Sequence, residues 1–152
     1  MSPSELDALL VRRHLLALDE ALRNLGRHRG RSLEDLAQDM DELWTVERGL
    51  QLCAQNVLDI ATHVAASSGR DVPDYVTAID RLGEMGVLPR EFVARFRGVA
   101  GFRNIIVHGY LAIDVRLVHQ LLNERLDDFA FFARQLEGYL AGAAALAPAP
   151  PG

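Results

Sequence analysis

The sequence predicts an all-α fold, an antiparallel helical bundle with four long helices and one short one. Three observations support this. Apolar residues recur at helical spacing along nearly the whole chain, and the alternation that marks strands is nearly absent. Good capping residues, Ser4, Ser32 and Asp114, stand just ahead of the apolar runs. Glycine and proline fall between the runs, at Gly26 and Gly30, at Gly69 and Pro73, and at Gly83, Gly86 and Pro89.

The first helix is expected from about Ser4 to Gly26, with acidic Glu5 and Asp7 in its first turn. Leu6, Leu9, Leu10, Arg13, Leu16, Ala17 and Leu25 outline its apolar stripe. Gly26–Arg31 reads as a basic, solvated turn. Ser32 followed by Asp35 resembles a capping box and opens a long helix to about Ala66. Its buried side is marked by Leu33, Leu36, Met40, Leu43, Val46 or Glu47, Leu50, Val57, Ile60 and Val64. A short helix from about Asp74 to Glu84 carries Tyr75, Ile79 and Leu82. Pro89 suits the first position of a fourth helix, which runs to about His108. Asp114 caps a fifth, to about Leu140, with Leu117, Leu121, Leu122, Leu126, Phe129, Phe132 and Leu136. Residues 1–140 form one helical domain in this reading, and residues 141–152, rich in Ala and Pro, a disordered tail.

Composition excludes several chemistries. The 152 residues include 16 basic ones, all of them Arg, so no P-loop or Schiff-base lysine exists. Cys53 is the only cysteine, which rules out an internal disulfide and a cysteine-built metal centre. A net charge of −5 argues against non-specific coating of nucleic acid, though not against a local basic patch. The acidic start and the lack of a long apolar run predict no membrane span and a cytoplasmic location.

The fourth helix holds the candidate chemistry. Phe92, Phe96, Val99, Arg103, Ile106 and Tyr110 follow a 4, 3, 4, 3, 4 spacing, a heptad seam expected to bury against a two-fold mate or to line that contact. Arg97, Gly101, Asn104 and His108 form a flanking polar stripe. Gly98 and Gly101 cost about 1 kcal/mol each in a helix interior, which suggests close approach by a neighbour or a ligand. The bland alternative is an Arg lying along apolar surface and a His at a helix C-terminus. Five residues of helix also leave Arg103 and His108 about 140° apart. A long Arg side chain, a partner helix or a helix end near Gly109 would have to close that gap.

Arg103-Asn104-Ile105-Ile106-Val107-His108-Gly109-Tyr110 resembles the Arg-x4-His-x-Tyr motif of HEPN-domain proteins, and in particular of HepT-like toxins of HepT–MntA toxin–antitoxin systems. Val46–Leu52, Asp59–His63, Gly86–Leu88, Gly101–Asn104 and Asp114 also fit, so the likeness spans roughly Leu43 to Leu136. The resemblance implies a homodimeric, metal-independent endoribonuclease without a cofactor. Its catalytic residues would be Arg103 and His108, supported by Asn104 and Tyr110. Arg95 and Arg97, with Arg90, would add a local RNA footprint, against the alternative of a solvated helix face. An MntA-like nucleotidyltransferase antitoxin would be the partner and would attach AMP to Tyr110. A competing reading is a non-catalytic HEPN module that partners a nucleotidyltransferase.

Other candidates are weaker. Asp59 and His63 have metal-like spacing, but two ligands do not make a site, and a hydrogen-bonded structural pair is expected. Cys53 is expected in the core, and Trp44 in the core or at an interface. His14, His28 and His119 show no constellation.

Overall fold

The computed structural model describes residues 3–101 and 113–146. Its elements are α1 (Pro3–Gly26), α2 (Leu33–Gln38), α3 (Met40–Ser67), α4 (Tyr75–Glu84), α5 (Arg90–Phe96), α6 (Val115–Glu124) and α7 (Leu126–Leu146). No strand occurs among the described residues. The all-α bundle agrees with the apolar periodicity, but the helices are more divided than that periodicity suggests.

Three of the helices expected to be continuous are broken. Asp39 sits in extended backbone between α2 and α3. Its N–H bonds Leu36 O, and its carboxylate accepts the Glu42 N–H at 3.0 Å, so it closes one helix and caps the next. Arg125 separates α6 from α7, at φ −116° and ψ −7°. Arg97 and Gly98 form a turn after α5, and helical backbone resumes at Val99. At the far end α7 passes Leu140 and reaches Leu146. The residues beyond Leu140 are mostly alanine, the strongest helix former.

The core is built around α3, which packs against α1, α2, α4, α6 and α7. Its middle is apolar nearly all round, as a central helix must be: Cys53, Ala54, Val57, Leu58, Ile60 and Ala61 are fully buried. Against it α1 presents Val11, Leu15, Leu18, Ala21 and Leu25. Of the expected stripe Leu25 is buried here, but the rest of the buried face is a different one, and Leu9 and Leu16 are exposed. Leucines stand on several sides of α1, so periodicity alone does not choose among them. Met40 also departs from the expected buried side and is exposed, because the break at Asp39 restarts the helical phase there. Trp44 is 58% exposed and therefore not a core residue.

The basic segment 27–31 is tied down rather than simply solvated. Arg31 Nε lies 2.7 Å from Glu42 Oε1, and His28 Nδ1 3.4 Å from Glu42 Oε2. Hydrogen bonding to Glu42, reinforced by its charge, raises the Arg31 pKa above its ordinary value. Arg29 pairs with Asp127 at 3.1 Å, and the Gly30 N–H donates to Asn123 Oδ1 at 2.9 Å. Gly30 adopts φ +88°, in the left-handed region that favours glycine.

Candidate functional site

The motif lies between two well-framed ends. On one side α5, the Arg97–Gly98 turn and helical Val99–Gly101 lead into it. On the other, Asp114 accepts the Leu117 N–H at 3.1 Å and starts α6. Arg103, Asn104, His108 and Tyr110 themselves lie outside the described residues, as does Ile106.

The approach to the motif is held by aromatic packing. Phe92 and Phe96 stack with centroids 4.6 Å apart, and Phe96 meets Phe132 at 5.5 Å and Phe129 edge-on at 5.7 Å. Phe92, Phe96 and Val99 are buried within the chain's own core. The rings of Phe92 and Phe96 therefore pack mainly on α7 of the same chain, and of the two expected arrangements, burial against a two-fold mate or lining of that contact, only the lining role is compatible with this packing. Gly98 and Gly101 are exposed, and a Cβ at either position would meet no atom of the described residues within 4 Å. Close packing among the described residues therefore does not explain these glycines.

The arginines expected to bind RNA already have carboxylate partners. Arg97 grips Asp80 with Nε at 3.0 Å and a second nitrogen at 3.2 Å. Arg95 Nε lies 3.3 Å from Asp128 Oδ1, and its guanidinium sits 5.0 Å from the Phe92 ring centroid. Both side chains are 50% exposed, and half-exposed pairs are worth at most about 1 kcal/mol. Such contacts can be exchanged for a phosphate. Asp128 also accepts from Arg125 at 3.2 Å. Asp80 and Asp128 belong to α4 and α7, so nothing in the local sequence around the motif points to them.

A pocket of about 150 Å³ opens where α5 meets the α6–α7 junction. Phe96, Val99, Leu121 and Phe129 form its apolar wall. Arg95, Arg125 and Asp128 give it a polar side, and Gly98 borders it.

Elsewhere the polar groups are structural. His14 Nδ1 lies 2.8 Å from Asn56 Oδ1, and buried Asn56 donates to Leu52 O at 2.8 Å. His63 stacks on His14 at 5.9 Å. Asp59 accepts from Gln55 at 2.9 Å. The expected Asp59–His63 hydrogen bond is thus replaced by separate partners: His63 turns toward α1, and Asp59 stays with its own helix. Cys53 is buried as expected, and burial pushes its thiol up to about 12. Among the described residues no three or more His, Cys, Asp or Glu side chains are grouped to hold a metal ion. No helix among them is long and apolar enough to cross a membrane.

Comparison with known proteins agrees with the motif. The family described as "Ribonuclease HepT-like" matches residues 18–136. A tRNA nuclease HepT from Aphanizomenon flos-aquae (strain 2012/KM1/D3) is 26% identical over 139 residues, covering 90% of this chain and 94% of its own. Among solved structures, a tri-AMPylated HEPN toxin of Shewanella oneidensis in complex with MNT antitoxin superimposes with a TM-score of 0.75 at 19% identity, covering 85% of this chain and 97% of that one. YutE of Bacillus subtilis, described as a cytosolic protein of unknown function, gives 0.74 at 18% identity over 92% of this chain and 93% of its own. These two likenesses are of fold. Because the family match spans most of the sequence and includes the Arg103-x4-His108-x-Tyr110 stretch, the chain belongs to the ribonuclease HepT-like family.

Proposed function

We propose that this protein is the toxin of a toxin–antitoxin pair, an endoribonuclease that needs no metal ion. The observation that carries the reading is the Arg103-x4-His108-x-Tyr110 motif within a HepT-like match over residues 18–136. The curated relative is named a tRNA nuclease, which supports RNA as the substrate class.

The chemistry needs few groups because RNA carries its own nucleophile. The 2′-hydroxyl attacks the adjacent phosphorus, the 5′-oxygen leaves, and a 2′,3′-cyclic phosphate remains. His108 moves protons, as the base toward the 2′-hydroxyl or the acid toward the leaving oxygen, since imidazole titrates near neutral pH. Arg103 holds the phosphate and stabilises the charge growing on its oxygens. Asn104 orients the imidazole or donates to phosphate. Arg95 and Arg97, each half-exposed beside its carboxylate, turn their remaining donors to the RNA backbone. The active form is a homodimer that brings two copies of the motif together.

Neutralisation follows from Tyr110. An MntA-like nucleotidyltransferase antitoxin transfers AMP from a nucleoside triphosphate to the tyrosyl oxygen. The tyrosyl proton is lost, and pyrophosphate leaves. The new phosphodiester charge and bulk lie two residues from His108 and repel an incoming RNA backbone. An AMPylated HEPN toxin bound to MNT antitoxin among the structural neighbours supports this reading.

The test is cleavage of cellular RNA by purified wild type, His108→Ala and Arg103→Ala, with and without EDTA. Wild type should cleave in either condition, and His108→Ala should lose about 10²–10⁴-fold in rate. Equal cleavage by wild type and His108→Ala would sink the mechanism. Absence of cleavage by wild type would move the assignment to a non-catalytic HEPN module.

A further inference from the structure

We propose that the pocket between α5 and the α6–α7 junction is a nucleobase subsite. It receives one base of the RNA beside the scissile phosphate and favours bases that carry an exocyclic amino group. The RNA part of this proposal rests on the ribonuclease reading above.

Position is the first argument. Val99 lines the pocket, belongs to the helical stretch Val99–Gly101 and stands four residues before Arg103 in the sequence. A nucleotide held here therefore lies near the point where the chain enters the motif. Size is the second. At about 150 Å³ the pocket has roughly half the volume of the smallest sites for drug-sized ligands, which suits one planar ring system rather than a whole nucleotide. The wall matches that guest, since Phe96, Leu121 and Phe129 offer apolar surface to a base.

Asp128 supplies the specificity. Its side chain is only 17% exposed, and it is the one acidic residue among the described residues that line the pocket. Its contacts to Arg95 and Arg125, 3.3 and 3.2 Å, are longer than the about 2.7–2.9 Å of strong charge-assisted bonds. A carboxylate has about four acceptor sites, so capacity remains for an amino N–H. Cytosine, adenine and guanine each provide such a donor. Uracil has no amino group, and its one ring donor on that edge, N3–H, is flanked by two carbonyl oxygens that a carboxylate repels. The two arginines are about half exposed, and each uses one donor on Asp128, which leaves others for the flanking phosphates. Its described lining carries two cations and one anion, a net positive patch in a chain of net charge −5, and it complements a phosphodiester.

The direct experiment titrates CMP, AMP and UMP into the full-length, isotope-labelled protein and follows backbone amide shifts. CMP and AMP should move Val99, Leu121 and Arg125, with UMP about tenfold weaker. Asp128→Asn should remove the difference between CMP and UMP. Gly98→Leu should weaken all three nucleotides. A Cβ at Gly98 meets no atom of the described residues within 4 Å, and its backbone is not left-handed, so this variant keeps the fold. In a randomised RNA pool, wild-type cleavage sites should be depleted of uracil at one fixed position, and Asp128→Asn should erase that depletion. Equal response to CMP and UMP, or unchanged binding in Gly98→Leu, overturns the proposal even if wild type cleaves RNA. Shifts of the same residues on raising protein concentration without nucleotide would assign the pocket to a second copy and also overturn it. If no RNA is cleaved while the mononucleotide preference holds, the ribonuclease reading fails and the base site stands.

Discussion

Truncating Phe96 to alanine tests how the approach to the motif is held. Phe96 touches three other rings, Phe92, Phe132 and Phe129, at 4.6, 5.5 and 5.7 Å. A buried Phe→Ala change costs about 3–5 kcal/mol, and where it falls in that range depends on how sealed the new cavity is. Phe96 borders the 150 Å³ pocket, so water reaches the space left behind. The cost should therefore lie at the lower end, about 3 kcal/mol. Phe132 is fully buried and does not border that pocket, so Phe132→Ala leaves a closed void. Its cost should lie at the upper end, about 5 kcal/mol. For a domain of this size each kcal/mol lowers Tm by about 2–4 °C, which gives drops of about 6–12 and 10–20 °C. Urea unfolding followed by far-ultraviolet circular dichroism measures both, and an unchanged m-value makes the comparison valid. A Phe96→Ala loss equal to or larger than that of Phe132→Ala would refute the reasoning. So would a loss below about 1 kcal/mol, because the aromatic cluster would then not be what fixes α5 on α7.

Two further predictions concern titrating groups. Asp74 caps α4 by accepting the Thr77 N–H at 2.7 Å, and that bond holds its carboxyl below the ordinary value of 3.8. Its stabilisation is therefore complete above 3.8 and is lost as the pH falls from there through the lowered native value, so Asp74→Asn should flatten the acid limb of a stability–pH curve; an unchanged limb would show that the cap charge contributes nothing. Burial raises the Cys53 thiol from 9.0 to about 12, so its contribution is complete below pH 9.0 and fades as the pH rises toward 12, and the native protein at pH 8 should react with a thiol reagent only at its unfolding rate; prompt labelling of folded protein would contradict the buried placement.

The fold class could be derived from the sequence because helices are local structures. Apolar spacing of about 3.6 residues and good capping residues act within a few turns, so Ser32, Asp74 and Asp114 mark helix starts before any tertiary contact is known. The motif Arg103-x4-His108-x-Tyr110 is legible for the same reason, being a short run recognised by residue types and spacing alone.

What the sequence alone left open are choices between locally equivalent options. Leucines on several faces of α1 fit more than one stripe, and only packing on α3 selects Val11, Leu15, Leu18, Ala21 and Leu25 and leaves Leu9 and Leu16 outside. Asp39 is compatible with a helix interior until its carboxylate is seen capping Glu42. The heptad spacing of Phe92, Phe96 and Val99 fits a dimer seam as well as an internal core, and only the structure shows the rings of α7 packed on Phe92 and Phe96. Arg95 and Arg97 look like free positive charge in the sequence, but Asp128 and Asp80 meet them from 33 and 17 residues away. Periodicity reports which residues share a side of one helix. Which side is covered, and which charges are paired, depends on elements distant along the chain, so only the tertiary structure decided these.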